Sequence, residues 1–349
     1  MQLRAARTLV FTRQDGALLG CNFLTRDVFG CDSSLLDLLA ETPEWTDAQA
    51  IIDGVFEGDA SEVESLIRHS ALTVAGSALA RREDEYLAEW QWTIPTGMLH
   101  FCLEDAEIIS LEESEEIQRQ RIETEPQPAL YLRNRDRVPV VPLPEARKSD
   151  ALLDIMARRR TVRAAASPSI SLAQLSDCLF AGMGITGETS NVVGTLPLGM
   201  TPSGGARNPY EAYVFARRVD GLEPGIYHYS AIDHDLGLVR RSLPKFSQLV
   251  GGQDWADEMP CLLVLVADFR RTMWKYRDPN AYRVVLIEAG HIGQNVMLAA
   301  TRHGLSACPT AALAQARIRK ALGLRRLTDA PVYAMTLAVP GNEPSVTLQ

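Results

Sequence analysis

Apolar and polar positions fall into two patterned blocks joined by a stretch that follows neither a helical nor a strand period. In residues 1–110, "RTLVF" and "ALLGCNFL" flank the turn "TRQDG" and have the character of paired strands. "SSLLDLLAET" and "TDAQAIIDGVFEG" then space apolar residues at helical intervals, and Thr46 or Asp47 can cap the second. The helical period continues through "SEVESLIRHSALTVAG", and "EWQWTIP" and "MLHFCLE" close the block as expected strands. Small helices beside a hairpin predict a winged-helix-like module.

Residues 111–149 are acidic and then proline-rich. Five prolines between Pro126 and Pro144 oppose a long helix and favour extended chain, so the stretch reads as a linker or a wrapping arm. From 150 to 349 helix and strand signals alternate. "DALLDIMARRR" and "SLAQLSDCLFAGMG" predict helices, and "YEAYVFARRV", "GIYHY" and "LGLVRR" predict antiparallel strands. "PCLLVLVA" is a continuous apolar run expected as a buried central strand. "AYRVVLIEAGHIGQNVMLAATRHG" predicts a long buried helix stopped by Gly304, and "APVYAMTLAVP" a last strand. The expected class is α+β, a mixed sheet flanked by helices.

Composition narrows the partners. The chain has 349 residues and a net charge of −9, which argues against nucleic acid, because phosphate backbones need clustered positive charge. No apolar run is long enough for a transmembrane helix or a signal peptide, so the expected compartment is the cytoplasm, with no membrane contact. The six cysteines lack metal-ligand spacing, so no metal is expected, and Cys178 and Cys261 read as small buried hydrophobes.

Several motifs carry candidate chemistry. "GMGITG" has dinucleotide-loop spacing, but a helix precedes it where a strand is required, so it reads as a helix stop followed by a loop. In "RRRTVR", Arg159 and Arg163 at i, i+4 on a helix end would suit a bidentate grip on phosphate, or would simply be solvated. "TPSGGARNPYEAYVF" combines two glycines, which let backbone approach a ligand closely, with Arg207 and Asn208. Together these suggest a phosphorylated ligand with a polar chain. Glu288, His291 and Asn295 share related helical faces, where a lone histidine reads as a satisfied core residue. His228 and His234 read as strand and turn residues. Only four of the 35 basic residues are lysines, and one of them, Lys275, stands between Trp274 and Tyr276. A lysine among aromatics is either a surface side chain lying on rings or, in a dry cleft, a usable base.

Taken in order, "RRRTVR", "PSGGARNPYEAY", "GLEPGIYHY", "WKYRDPNAYR", "IEAGHIGQN", "GLSACPTAAL" and "ALGL" resemble the SagB-type (McbC-like) nitroreductase-like flavoproteins. These are the azoline dehydrogenases of thiazole/oxazole-modified peptide biosynthesis. The resemblance covers 150–349 closely. It extends more loosely to 1–110, which resembles that family's N-terminal peptide-binding module. It implies FMN at a homodimer interface. Arg159, Arg160, Thr161 and Arg163 would hold its phosphate and ribityl chain. Pro202, Ser203, Gly204, Gly205, Ala206 and Asn208 would line it, with Asn295, Gly304 and Leu305 nearby. Lys275 and Tyr276 match the family's catalytic pair. Alanines in "CPTAAL" replace an aromatic and an acidic residue frequent after the Gly304–Leu305 turn. The implied partners are a modified precursor peptide and an azoline-forming cyclodehydratase. The alternatives are another flavin-dependent oxidation, an NAD(P)H-dependent nitro or quinone reductase, and a non-catalytic scaffold.

Overall fold

The computed structural model describes residues 1–56, 59–104, 111–124, 151–191, 194–276 and 280–341. The proline-rich half of the joint lies outside them. The first part runs β1 (Gln2–Ala5), β2 (Leu9–Gln14), β3 (Ala17–Asn22), β4 (Asp27–Cys31), α1 (Ser33–Glu41), β5 (Thr46–Asp47), α2 (Ala48–Val55), α3 (Ala60–Arg68), β6 (Leu72–Val74), α4 (Ala78–Glu89) and α5 (Ile94–Cys102). The acidic half of the joint is α6 (Leu111–Thr124). Strands β2, β3 and β4 form an antiparallel meander with β4 at an edge, and β1 pairs with β5 and β6. Asp32, Asp47 and Asp59 cap α1, α2 and α3 by accepting backbone N–H bonds in the first turn, which fixes three helix starts locally.

Two expectations fail here. The helical period through "SEVESLIRHSALTVAG" breaks after Arg68, because Ser70 takes φ 56 and the run "LTV", with β-branched Thr73 and Val74, joins β1 as β6. The closing pair of strands is instead α5, opened by Pro95 in its first turn, with Gly97, His100 and Phe101 buried at helical spacing.

The second part runs α7 (Ala151–Arg158), β7 (Ile170–Ser171), α8 (Leu172–Met183), β8 (Ile185–Asn191), β9 (Gly194–Gly199), β10 (Tyr210–Ala216), β11 (Val219–Asp220), β12 (Gly225–Ser230), β13 (Asp235–Arg240), β14 (Cys261–Asp268), α9 (Phe269–Lys275), α10 (Asn280–Arg302), β15 (Ser306–Thr310), α11 (Gln315–Leu322) and β16 (Asp329–Ala338). A six-stranded antiparallel sheet has the order β13-β12-β10-β14-β16-β15. As expected, β14 is central and every residue of it is buried. Its period-2 alternation sorts two cores. Leu263 and Leu265 face α8 and α10, while Leu262, Val264 and Val266 face α11 and the segment around Phe246. Cys178 and Cys261 are fully buried, and burial pushes the Cys178 thiol up to about 12.

The first core also takes in Phe23, Tyr86, Trp90, Trp92 and Phe101, so the N-terminal stretch packs directly on the α8–α10 side. Gly304 adopts φ 69 just past α10, and the Leu305 N–H reaches back to the Ala300 carbonyl, closing the helix as its sequence predicts. The helix is not buried all round. Val284, Leu286, Ile287 and His291 are exposed, so His291 is not a core residue. "GMGITG" does stop α8, but the expected loop is the hairpin β8–β9. Among the described residues no helix is long and apolar enough to cross a membrane, and no group of three or more His, Cys, Asp and Glu could hold a metal.

Candidate active site

The site forms where the chain enters β10. Ser203 to Asn208 make a tight turn containing a short 3-10 segment, with Gly205 at φ 63, Ala206 at φ 53 and Asn208 at φ 45. Three left-handed positions in four residues bare the backbone on the turn's outer side. A Cβ at Gly204 would lie 2.8 Å from the Val284 side chain on α10. A Cβ at Gly205 would collide with the Tyr276 hydroxyl and stand 2.5 Å from Lys275 Nζ. The glycine turn and the Lys275–Tyr276 pair are therefore in direct apposition, although 70 residues separate them.

The pair is set by α9. Asp268 accepts the Arg270 N–H and starts the helix, Lys275 is its last residue, and the Tyr276 N–H closes it on the Thr272 carbonyl at 2.9 Å. Lys275 Nζ lies 5.2 Å from the Tyr276 ring centroid. Lys275 is exposed and Tyr276 half-buried. Beside them the Arg207 guanidinium stands 5.4 Å from the Trp274 ring.

Behind the turn is a cavity of about 450 Å³, within the usual range for small-molecule sites. Met183, Ile185, Leu196 and Ile292 give it apolar walls, and Arg207, Glu211, His228, Arg271 and Glu288 bring polar and ionisable groups. Glu288 is buried on α10 and accepts the Gly204 N–H at 3.3 Å. Burial pushes its carboxyl above the usual range, against the lowering effect of the Ser203 and Gly204 bonds. Arg271 donates to the Asn208 carbonyl at 2.7 Å and to Glu211, whose other oxygen is 2.6 Å from His228 Nε2. This Arg271–Glu211–His228 chain braces the turn against the sheet. Asn295 donates to Thr201 Oγ1 at 3.0 Å, and Thr201 donates to the Gly182 carbonyl at 2.6 Å, which fastens the front of the turn to α10 and α8.

The structure thus gathers Pro202 to Asn208, Asn295, Lys275 and Tyr276. It places the remaining candidates elsewhere in the chain. The helix expected to carry Arg159 and Arg163 on one face ends at Arg158, with the Arg159 N–H closing it on the Ile155 carbonyl at 3.0 Å, so Arg163 lies beyond the helix. Arg160 donates to the carbonyls of Ala157 and Arg159, and Arg163 stands 5.9 Å from the Trp255 ring. Thr161 lies between them. The segment then pairs Ala165 with Pro340, beyond the end of β16. The glycine turn instead enters the sheet at Tyr210, opposite Ala267 at the far end of β14. The six register steps between those two ends span about 20 Å. Gly304 and Leu305 are also remote, about 30 Å along α10 from Val284.

Sequence reasoning missed Glu211, Arg271 and Thr201 and gave His228 no more than a strand position. Glu211 and His228 meet through cross-strand pairing of β10 with β12, which no local spacing reveals. It also missed Trp92, whose indole N–H donates to the Tyr276 carbonyl at 3.1 Å.

An antiparallel sheet whose strand-entry turn faces a lysine–tyrosine pair, backed by one long helix, defines an α+β scaffold with the site at one end of the sheet. The model described as "Nitroreductase family" matches residues 156–339, and the chain belongs to that family, which places it among oxidoreductases. It is similar to the nitroreductase-like protein MJ1384 of Methanocaldococcus jannaschii, 32% identical over 176 residues, which cover 50% of this chain and 85% of that one. It is also similar to the trifolitoxin-processing protein TfxB of Rhizobium leguminosarum bv. trifolii, 30% identical over 145 residues, covering 39% of this chain and 38% of TfxB. The microcin B17-processing protein McbC of Escherichia coli is 29% identical over 138 residues, covering 38% of this chain and 50% of McbC. The match thus spans half or less of TfxB and McbC.

Proposed function

We propose that the protein is an FMN-dependent dehydrogenase that oxidises azolines to azoles in a ribosomally made peptide. The observation that carries the reading is the apposition of Lys275 and Tyr276 to the bare backbone of Gly205. A plain reductase has no need of a base at that position. Similarity to the processing proteins TfxB and McbC supports a peptide substrate.

The residues fit a flavin nucleotide. The glycine turn brings its backbone close to Lys275 and Tyr276, the adjoining cavity has apolar walls, and Arg159, Arg160, Arg163 and Arg207 are the donors an anionic phosphate needs in a chain of net negative charge. Pro202 to Asn208 and Asn295 would hold the ring side, and Arg159 to Arg163 with the Gly304–Leu305 turn the phosphate side. The separation of roughly 20 Å between the two sets along one sheet supports a site completed by a second copy. An exposed apolar patch on α10, Val284, Leu286 and Ile287, supports the same homodimer.

FMN, when bound, supplies the acceptor for the hydride that leaves the azoline β-carbon. Lys275 takes the proton from the α-carbon through its amine. Tyr276 orients that amine and donates its hydroxyl to the ring heteroatom or carbonyl beside it. The Gly205 backbone keeps both side chains at one edge of the site. One proton and one hydride leave per ring, and the azole results.

The N-terminal stretch, 1–110, would be the peptide-binding domain, 111–149 the linker and 150–349 the FMN domain. The open edge of β4 lies beside a cavity of about 720 Å³ lined by Val28, Phe29, Leu38, Val55 and Leu66, which suits an added strand with apolar anchors. The azoline-forming cyclodehydratase is the expected partner.

Anaerobic absorbance spectroscopy on the purified protein tests the reading. Bleaching of bound FMN by an azoline peptide and not by NAD(P)H is expected. Bleaching by NAD(P)H alone would make the protein a reductase, the reading favoured by MJ1384, and failure to take up FMN would end both.

A further inference from the structure

Lys275 ends a seven-residue helix, whose own bonds among the described residues hold the Tyr276 N–H and not the Tyr276 carbonyl. The N-terminal stretch holds that carbonyl. Trp92, buried between α4 and α5, donates its indole N–H to the Tyr276 carbonyl at 3.1 Å. The same indole packs edge-on against Phe269 at 5.6 Å and Tyr282 at 5.7 Å. Phe269 is the first residue of α9, and Tyr282 lies in the first turn of α10. Trp90 packs on Trp92 at 5.6 Å, and His100 Nδ1 lies 3.0 Å from the Tyr282 hydroxyl. Both helices that flank the Lys275–Tyr276 corner are therefore seated on one aromatic cluster supplied by residues 90–101, and one directional bond from that cluster reaches the corner itself.

We propose that Trp92 is a positioning residue of the reaction centre. Its N–H fixes the Tyr276 carbonyl and so aims Lys275 and the Tyr276 ring at the Gly205 backbone. The N-terminal stretch then serves the chemical step as well as any peptide it holds. The inference rests on the Lys275–Tyr276 assignment, and its test separates the two.

Apolar packing alone would need only the shape of the indole, whereas the proposal needs the N–H. Replacing Trp92 by β-(3-benzothienyl)alanine keeps the shape and deletes the donor, and Trp92→Phe is the second variant. The chain has four lysines, so reductive ¹³C-methylation of the full-length, FMN-loaded protein gives a sparse spectrum in which Lys275→Arg identifies one resonance. In wild type the Tyr276 ring, 5.2 Å away, displaces that resonance, and Tyr276→Leu removes the displacement. In the benzothienyl variant the resonance moves towards the positions of the other lysines while theirs stay fixed. kcat on an azoline peptide falls about tenfold, the loss equivalent to one hydrogen bond, with KM and FMN content unchanged. A Lys275 resonance and a kcat that both match wild type in either variant would overturn the proposal. If wild type turns over no azoline, the reaction assignment falls, and the resonance still decides the role of Trp92.

Discussion

Replacing Gly205 by alanine isolates the contact on which the active-site assignment depends. Gly205 sits at φ 63, where an L-residue is disfavoured by about 1 kcal/mol. The added Cβ also meets the Tyr276 hydroxyl, and it lies 2.5 Å from Lys275 Nζ and 3.1 Å from Lys275 Cδ. Both obstacles are the far ends of side chains, so they can retreat, and restoring ordinary van der Waals separation moves them by about 1 Å. A displacement of that size at a reacting group costs about 100-fold in rate. Gly221→Ala is the matched control, because Gly221 has φ 85 and no atom within 4 Å of its Cβ position. Urea unfolding of both variants should show similar losses of about 1 kcal/mol. Single-turnover flavin reduction by an azoline peptide, measured on the FMN-loaded fraction of each variant, should slow about 100-fold in Gly205→Ala alone. Equal rates in the two variants would refute the placement of Lys275 and Tyr276 at the reaction centre.

Lys275→Ala should leave FMN bound and lower kcat by about 100-fold or more, the worth of a positioned base, in the same spectroscopic assay. Arg163→Ala should weaken FMN binding about tenfold by fluorescence titration, with a smaller effect at high salt, because it removes a charged donor to phosphate. Ile287→Glu, which puts charge into the exposed patch of α10, should shift the species in analytical ultracentrifugation from dimer to monomer and release FMN. Burial, with lesser contributions from Arg319 and Arg82, lowers the His100 pKa to about 3, below its unfolded value near 6.5. The unfolded chain therefore binds the extra proton first, and His100 erodes stability as pH falls from about 6.5 to about 3. In that window wild type should lose about 1.4 kcal/mol per pH unit more than His100→Gln in denaturant titrations.

What the sequence made legible is what local chemistry decides. The unbroken apolar run of β14 and the terminal glycine of α10 could be read directly, because burial on both faces and a left-handed stop each leave a local signature. Residues 94–102 could not. Their apolar and small residues fit either period, and the helix packs into the Trp90–Phe101–Phe269 cluster, of which Phe269 lies far along the chain. The turn 203–208 stood out in the sequence as a ligand-loop candidate and the Lys275–Tyr276 pair through resemblance. Their contact did not, since it depends on β10 and β14 pairing so that Tyr210 meets Ala267, one residue before the Asp268 cap of α9. The arginine segment was misjudged in geometry because Arg158 to Arg160 read as a continuing helix, whereas the chain there leaves α7 for the edge beyond β16.

The position of β16 has a consequence for biosynthesis. It lies between β14 and β15, although it is later in the chain than either. Until a ribosome has reached residue 338, β14 has one strand neighbour and β15 none. Cys261 to Asp268, the most apolar strand, then waits with an unpaired edge. The aromatic cluster of residues 90–101 is made much earlier, and it waits with its Phe269–Tyr282 face uncovered. A nascent chain in this state offers the cell's chaperones two sticky surfaces at once, and substitutions that slow the docking of β16 should reduce soluble yield more than they reduce the stability of the finished protein.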